Sequence, residues 1–218
     1  MRESGPIVRR LSAGDAARVI DVFCDAFDGY AVVRHVLGAR ASDPVALRHL
    51  IGLFVMGRAL RDDPLFGIEH DGVLQAALTM SDPSRPDDPP PRLAVLREEV
   101  WTDLGEEARG RYDACGAVWS ALGVGEPHVH VNMVGVRRAW QRRGLACALL
   151  DRAARLSRET PGSCGVSLST EEAVNVPFYR HLGYAVAGQG RIADGLDTWV
   201  LFRRTTPDRG RPNPALET

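Results

Sequence analysis

Lysine is absent from this 218-residue chain, whose cationic side chains apart from histidine are 27 arginines. Without a lysine ε-amine there is neither a Walker A phosphate loop nor a pyridoxal-phosphate Schiff base. Long apolar runs are missing too, so no segment spans a bilayer, and the start of the chain around Glu3 and Pro6 lacks the apolar region of a signal peptide. A cytosolic (cytoplasmic) protein without membrane contact is expected. Surplus charge is lacking: 28 acidic side chains leave a net charge of −1, which argues against nucleic acid even where Arg137-Arg138-Ala139-Trp140-Gln141-Arg142-Arg143 interleaves bases with an aromatic. Cysteine is scarce, and Cys24, Cys115, Cys147 and Cys164 stand far apart without metal-ligand spacing. Reduced, mostly buried thiols follow. His128-Val129-His130 offers two imidazoles with no third ligand at a useful spacing, so no metal is expected.

The remaining composition is that of one compact domain with a sizeable core. Ile7 to Arg10 reads as a strand, and a long helical stretch begins at Ser12 or Asp15 and runs through Val22, Phe23, Ala26 and Phe27. Another helix starts at Pro44. Phe66 to His70 and Val73 to Met80 read as a hairpin closed by Asp71-Gly72. Prolines and aspartates then make Ser81 to Pro91 a stiff polar loop, followed by helix-rich sequence from Leu93 to Leu122 with Val95, Val100, Leu104, Tyr112, Val118 and Trp119 available for burial. Asp197 to Arg203 reads as the last strand. Thr205 to Thr218, rich in Pro, Gly and Arg, is expected to be a flexible tail.

The most informative stretch is Gln141-Arg142-Arg143-Gly144-Leu145-Ala146. Upstream, His128 to Val136 alternates like a strand, with Val129, Val131 and Met133 on one face and His130, Asn132 and Val134 on the other. Downstream, Leu145, Ala148, Leu149, Ala153 and Leu156 recur at helical spacing. Gly144 lets backbone approach a ligand, the first helical amides lack internal partners, and Arg142 and Arg143 add charge, so a diphosphate suits the turn. An ordinary strand-to-helix turn with solvated arginines has the same pattern. A second segment follows the strand Gly165 to Leu168: Asn175-Val176-Pro177 opens a short helix, with asparagine as cap, and Gly183 closes it. Asn175 and Tyr179 share one helical face, Phe178 and Leu182 another that core packing can claim. Tyr179 is thus free to act as a proton donor or, alternatively, to pack as a buried aromatic with a tethered hydroxyl.

Val134-Gly135-Val136, the stretch from Gln141 to Ala146, and Asn175-Val176-Pro177-Phe178-Tyr179-Arg180-His181-Leu182-Gly183-Tyr184 occur in this order, and the chain from about Pro6 to Arg204 resembles the GNAT superfamily of N-acetyltransferases. Within it the pattern from Ala26-Phe27-Asp28 through Arg34-His35 is most similar to the puromycin N-acetyltransferase group. Ala146 replaces the last glycine of the family's pyrophosphate motif, and Ser169-Thr170 stands where that group has Glu-Thr. The resemblance implies an α/β fold: a mixed central sheet with splayed central strands, flanked by helices, over residues 1–204, with 82–126 as a helical insertion near the acceptor site and 205–218 as tail. It implies acetyl-CoA as co-substrate. Val134, Gly135 and Val136 would bind it through their main chain, Gln141, Arg142, Arg143, Gly144, Leu145 and Ala146 at the diphosphate, and Asn175 by a hydrogen bond. Tyr179 would protonate the departing thiolate.

The expected reaction is acetyl transfer to a primary amine of a small molecule, by direct attack in a ternary complex. Acetylation of a peptide or protein amine, or a non-catalytic acyl-CoA-binding regulatory domain, remain open alternatives. His130 is a candidate base, with Glu69, His70 and Asp28 as weaker ones; Glu171 and Glu172 read as a solvated loop. The acceptor's identity and the oligomeric state are not encoded legibly.

Overall fold

Alternating apolar strands force one sheet to bury both faces, and amphipathic helices cover them in two layers. The computed structural model describes residues 5–84 and 89–205. Seven strands form a mixed sheet: β1 (Val8–Leu11), β2 (Leu65–His70), β3 (Val73–Ser81), β4 (Val129–Val136), β5 (Gly165–Thr170), β7 (Leu196–Arg204) and β6 (Ala185–Ala193), in that spatial order. Neighbours run antiparallel except β4 and β5, which run parallel. One face packs on α1 (Ala16–Phe27), α2 (Ala31–Leu37), α3 (Pro44–Ala59), α4 (Pro91–Leu104) and α5 (Glu106–Ala121), around Val19, Phe23, Leu50 and Ile51. The other packs on α6 (Leu145–Glu159) and α7 (Asn175–His181), around Leu78, Met80, Leu149 and Leu168. No helix of the described residues is long and apolar enough to cross a membrane.

Local chemistry explains the boundaries. Asp71 and Gly72 both take positive φ, 49° and 76°, as a type I′ hairpin requires. Asp43 caps α3 by accepting from the Val45 amide at 2.8 Å, one residue ahead of Pro44. Helix α2 was not expected, because Val32, Val33 and Val36 are weak helix formers; burial of Val33, Val36 and Leu37 holds it. Strand β6 escaped for a similar reason, its Gly188 and Gly190 breaking the apolar alternation. Those glycines let α5 lie close on the sheet: a Cβ on Gly190 would meet Leu122 at 2.9 Å and Val118 at 3.2 Å.

Two burial expectations fail. Val95 is 58% exposed, since α4 turns its Leu93, Val100, Trp101 and Leu104 inward instead. Of the cysteines only Cys115 is buried; Cys24, Cys147 and Cys164 are partly exposed, and all four are unbridged. The expected flexible tail falls on residues 206–218, outside the described residues, and so does part of the polar loop, residues 85–88.

The strand β4 departs from simple alternation, and the departure shapes the site. Thr79 pairs with Met133 but Met80 with Val131, so Asn132 is an extra residue without a partner on β3. Before the bulge, Val129 and Val131 face the α6 layer; after it, Val134 and Val136 do, while Met133 turns to the α1 layer. The expected grouping of Met133 with Val129 and Val131 is therefore corrected by one residue of phase. Parallel pairing with β5 ends at Val131 and Leu168, so residues 133–136 keep their β3 partners but leave their other edge open. The central strands splay there.

Candidate active site

A cavity of about 1100 Å³ opens at this splay and continues between the sheet and α1, α3, α4 and α5. Gln141, which lines the cavity, opens onto a turn built mostly of backbone. Gly144, with φ 78°, is the αL residue that starts α6, and Arg142 takes φ 61° just before it. Both residues, with Gln141 and Arg143, are exposed, and the first bond of the helix runs from the Ala148 amide to the Gly144 carbonyl at 3.1 Å. The amides of Leu145, Ala146 and Cys147 therefore precede the helical ladder and carry its partial positive charge. The basic run sorts itself by partner. Arg137 donates to the Leu74 carbonyl at 2.9 Å and Arg138 reaches the Asp28 carboxylate at 3.1 Å, while Arg143 lies over the Trp140 ring at 4.5 Å. Arg142 and Arg143 keep no carboxylate partner among the described residues. This arrangement fits a diphosphate.

Gly135 turns out to serve packing. A Cβ there would meet Phe23 at 2.7 Å and Ala26 at 3.1 Å, so its missing side chain lets α1 press on β4. The Val136 carbonyl accepts from the Gln141 side chain at 3.3 Å, which ties the open strand edge to the turn.

The middle of the cavity holds the titratable groups. Tyr179 is 8% exposed, and burial together with nearby Glu171 pushes its phenol up to about 12 rather than leaving it at its ordinary value. Its hydroxyl has no hydrogen-bond partner among the described residues, while its ring meets Tyr184 edge-on at 5.9 Å. Asn175 does not cap α7; Val174 occupies that position, and the Asn175 Nδ2 instead donates to Thr170 Oγ1 at 3.1 Å. The Asn175 carbonyl oxygen is left for a ligand. Phe178 is 37% exposed, so the core claims Leu182 without it.

Glu171 overturns the expectation of a solvated loop. It is 9% exposed, and its Oε1 accepts from Thr198 Oγ1 at 2.8 Å and from Trp119 Nε1 at 3.1 Å. Burial raises its pKa, against the lowering effect of those donors. Tyr30 fixes the loop from α1's side: its hydroxyl accepts from the Glu171 amide at 3.1 Å and lies 2.9 Å from Thr170 Oγ1. Glu172 is also held, its Oε1 accepting from the Ala31 amide at 3.2 Å. In sequence these were two consecutive charges before a helix. The one signal for burial was Trp119, an indole whose N–H needs an acceptor when inside.

His130 lies at the cavity floor on the same face as Ser167, whose hydroxyl is 2.7 Å from His130 Nδ1. Burial, with His128 and Arg58 adding to it, drives its pKa down to about 4. It is a neutral imidazole and a feeble base. The weaker candidates are engaged elsewhere: Glu69 is bound by Arg9 and Arg18, His70 packs on Trp140 at 4.6 Å, and Asp28 pairs with Arg138 at 3.1 Å. Of these three only Asp28 lines the cavity. Among the described residues no group of three or more His, Cys, Asp or Glu side chains could hold a metal ion.

Residues 110–200, from α5 to β7, match the family model described as "Acetyltransferase (GNAT) domain". That part of the chain is thus similar to a GNAT acetyltransferase domain. Acetyltransferases of known structure are similar over nearly the whole chain. A Corynebacterium glutamicum structure described as histone acetyltransferase HPA2 and related acetyltransferase superposes with a TM-score of 0.63 at 16% identity, over 94% of this chain and 99% of that one. The polyamine N-acetyltransferase of Drosophila melanogaster gives 0.58 at 16% identity, over 90% and 97%. The protein yncA from Salmonella typhimurium, solved with its cofactor acetyl-CoA, gives 0.53 at 18% identity, over 97% and 100%. At these identities the likeness is one of fold. No curated protein matches the chain in sequence.

Proposed function

We propose that this protein is an acetyl-CoA-dependent N-acetyltransferase acting on a primary amine of a small molecule, by direct attack in a ternary complex. The observation that carries the reading is the meeting of Tyr179 and Glu171 inside one cavity, between an anion-suited turn and a wall of side chains. Acetyl-CoA supplies an acyl carbonyl activated as a thioester. Leu145 and Ala146 amides with Arg142 and Arg143 hold its diphosphate around Gly144; Val134, Gly135 and Val136 offer main-chain groups along the open β4 edge, Gln141 braces that edge, and the Asn175 carbonyl oxygen accepts from the arm.

Glu171 is the better base. Its raised pKa brings a carboxylate closer to neutrality, and its remaining oxygen, not used by Trp119 or Thr198, can take a proton from the acceptor ammonium. His130, the candidate base in the sequence, is too weak at about 4 to compete. Tyr179, protonated throughout the working pH range, gives its proton to the leaving sulfur. The likeness to the puromycin N-acetyltransferase group belongs to this proposal as well: Ser169-Thr170 lacks that group's carboxylate, and Glu171, just past the end of β5, supplies one.

The test is a thermal-shift titration with acetyl-CoA against free adenosine diphosphate, followed by release of free thiol in the presence of primary amines. A saturable shift specific to acetyl-CoA and amine-dependent thiol release are expected. Absence of a shift, checked by calorimetry, would refute the donor site.

A further inference from the structure

Beyond Glu171, the cavity wall contributed by α3, α4 and α5 is aromatic. The Phe54 and Tyr112 rings stack with centroids 5.4 Å apart and 30° between planes, and Trp101 lies 5.3 Å from Tyr112 at 33°. Tyr112 meets Trp119 edge-on at 6.3 Å, and Trp119 is the residue whose indole N–H holds Glu171. All four line the cavity. The row therefore begins at the carboxylate and runs away from it. A buried carboxylate fixes one ammonium, and flat rings next to it favour a flat partner through offset or edge contacts. We infer that the acceptor is a monoamine with an aromatic body, its ammonium at Glu171 and its ring against Trp119 and Tyr112; this rests on the acetyltransferase reading above.

Charge along the far wall supports one cation, not two. Arg58 faces Asp63 at 3.1 Å and Arg109 faces Glu98 at 3.6 Å, while Arg97 and Asp113, of opposite charge, both line the cavity. No surplus negative charge waits there for a second ammonium. The aliphatic chain of a diamine would also forgo the ring contacts, which at 0.5–1.5 kcal/mol are worth up to about tenfold.

The experiment compares kcat/KM, by thiol release at saturating acetyl-CoA, for 2-phenylethylamine and tryptamine against n-hexylamine, putrescine and spermidine. The aryl amines are expected to lead by about tenfold. Tyr112→Leu and, separately, Phe54→Leu should shrink that ratio towards unity; two positions are used so that a folding defect in one does not decide the outcome. Equal or better turnover of the linear amines overturns the inference, as does coenzyme binding with no turnover of either aryl amine. Loss of acetyl-CoA binding itself would instead strike the donor-site reading, so the two failures are told apart by calorimetry.

Discussion

The two ends of the cavity are made by different means. At the phosphate end, backbone does the work: an αL glycine, free helical amides and the open edge of β4. At the acceptor end, side chains from four separate elements converge, with Trp119 from α5, Glu171 after β5, Thr198 from β7 and Tyr30 before α2. A backbone site needs few residue types in a fixed local order and tolerates most side chains around it. A side-chain site needs distant residues to meet, and its chemistry changes with any one of them. Binding of the coenzyme should thus survive changes at the acceptor end, and catalysis should not.

The sharpest break is Glu171→Gln. The amide oxygen can still accept from Trp119 and Thr198, so the fold and coenzyme affinity should hold while kcat/KM falls by about 10²–10³, the usual worth of a positioned base. Equal coenzyme affinity by calorimetry with unchanged turnover would remove Glu171 from the chemistry. Tyr179→Phe comes next. Loss of a proton donor from an otherwise intact ring should lower kcat by about 10²-fold, the lower end for acid catalysis, without changing the affinity for acetyl-CoA. Because burial holds this phenol at about 12, the wild type should show no alkaline loss of activity from tyrosine ionisation up to pH 10, which a pH–rate profile can check.

Gly144→Asp tests the opposite end. Its Cβ would meet nothing, but φ 78° disfavours any L side chain and the new charge sits where the proposed diphosphate would lie. Acetyl-CoA affinity should fall by about tenfold or more, which a like charge beside the diphosphate causes at a cost of only about 1.4 kcal/mol. Single-turnover rate with bound coenzyme should stay near wild type. The smallest effect concerns stability. His130 is near 4 in the folded chain and near its ordinary value when unfolded, so the unfolded state takes up the proton first as pH falls. Folding stability should therefore decline from about pH 6.5 to about pH 4, by on the order of 1–3 kcal/mol, and His130→Gln should flatten that limb in denaturant titrations.

The same contrast explains what could be read from the chain. Gln141 to Ala146 declared its turn because a glycine between a strand and an amphipathic helix has few other uses, and the Asp71-Gly72 hairpin was legible for the same local reason. Tyr179 could be placed on its face by counting residues around one helix. Glu171 could not, because its burial depends on Trp119, 52 positions away, arriving over the glycines of β6. Nor could the shift of face in β4, since alternation carries no mark of an unpaired residue until its partner strand is known. Nor could the weakness of His130 as a base, as desolvation is a property of the packed interior and not of the local sequence.

Asn132 gives the active site the character of a dislocation in a crystal. One surplus residue in β4, against β3, sits where its pairing with β5 stops and the wedge begins. Such a defect is insensitive to substitution, since any residue adds the same length, yet a single-codon deletion would heal it. Pairing of β4 with β3 would then run without interruption, each remaining β4 side chain keeping its present layer.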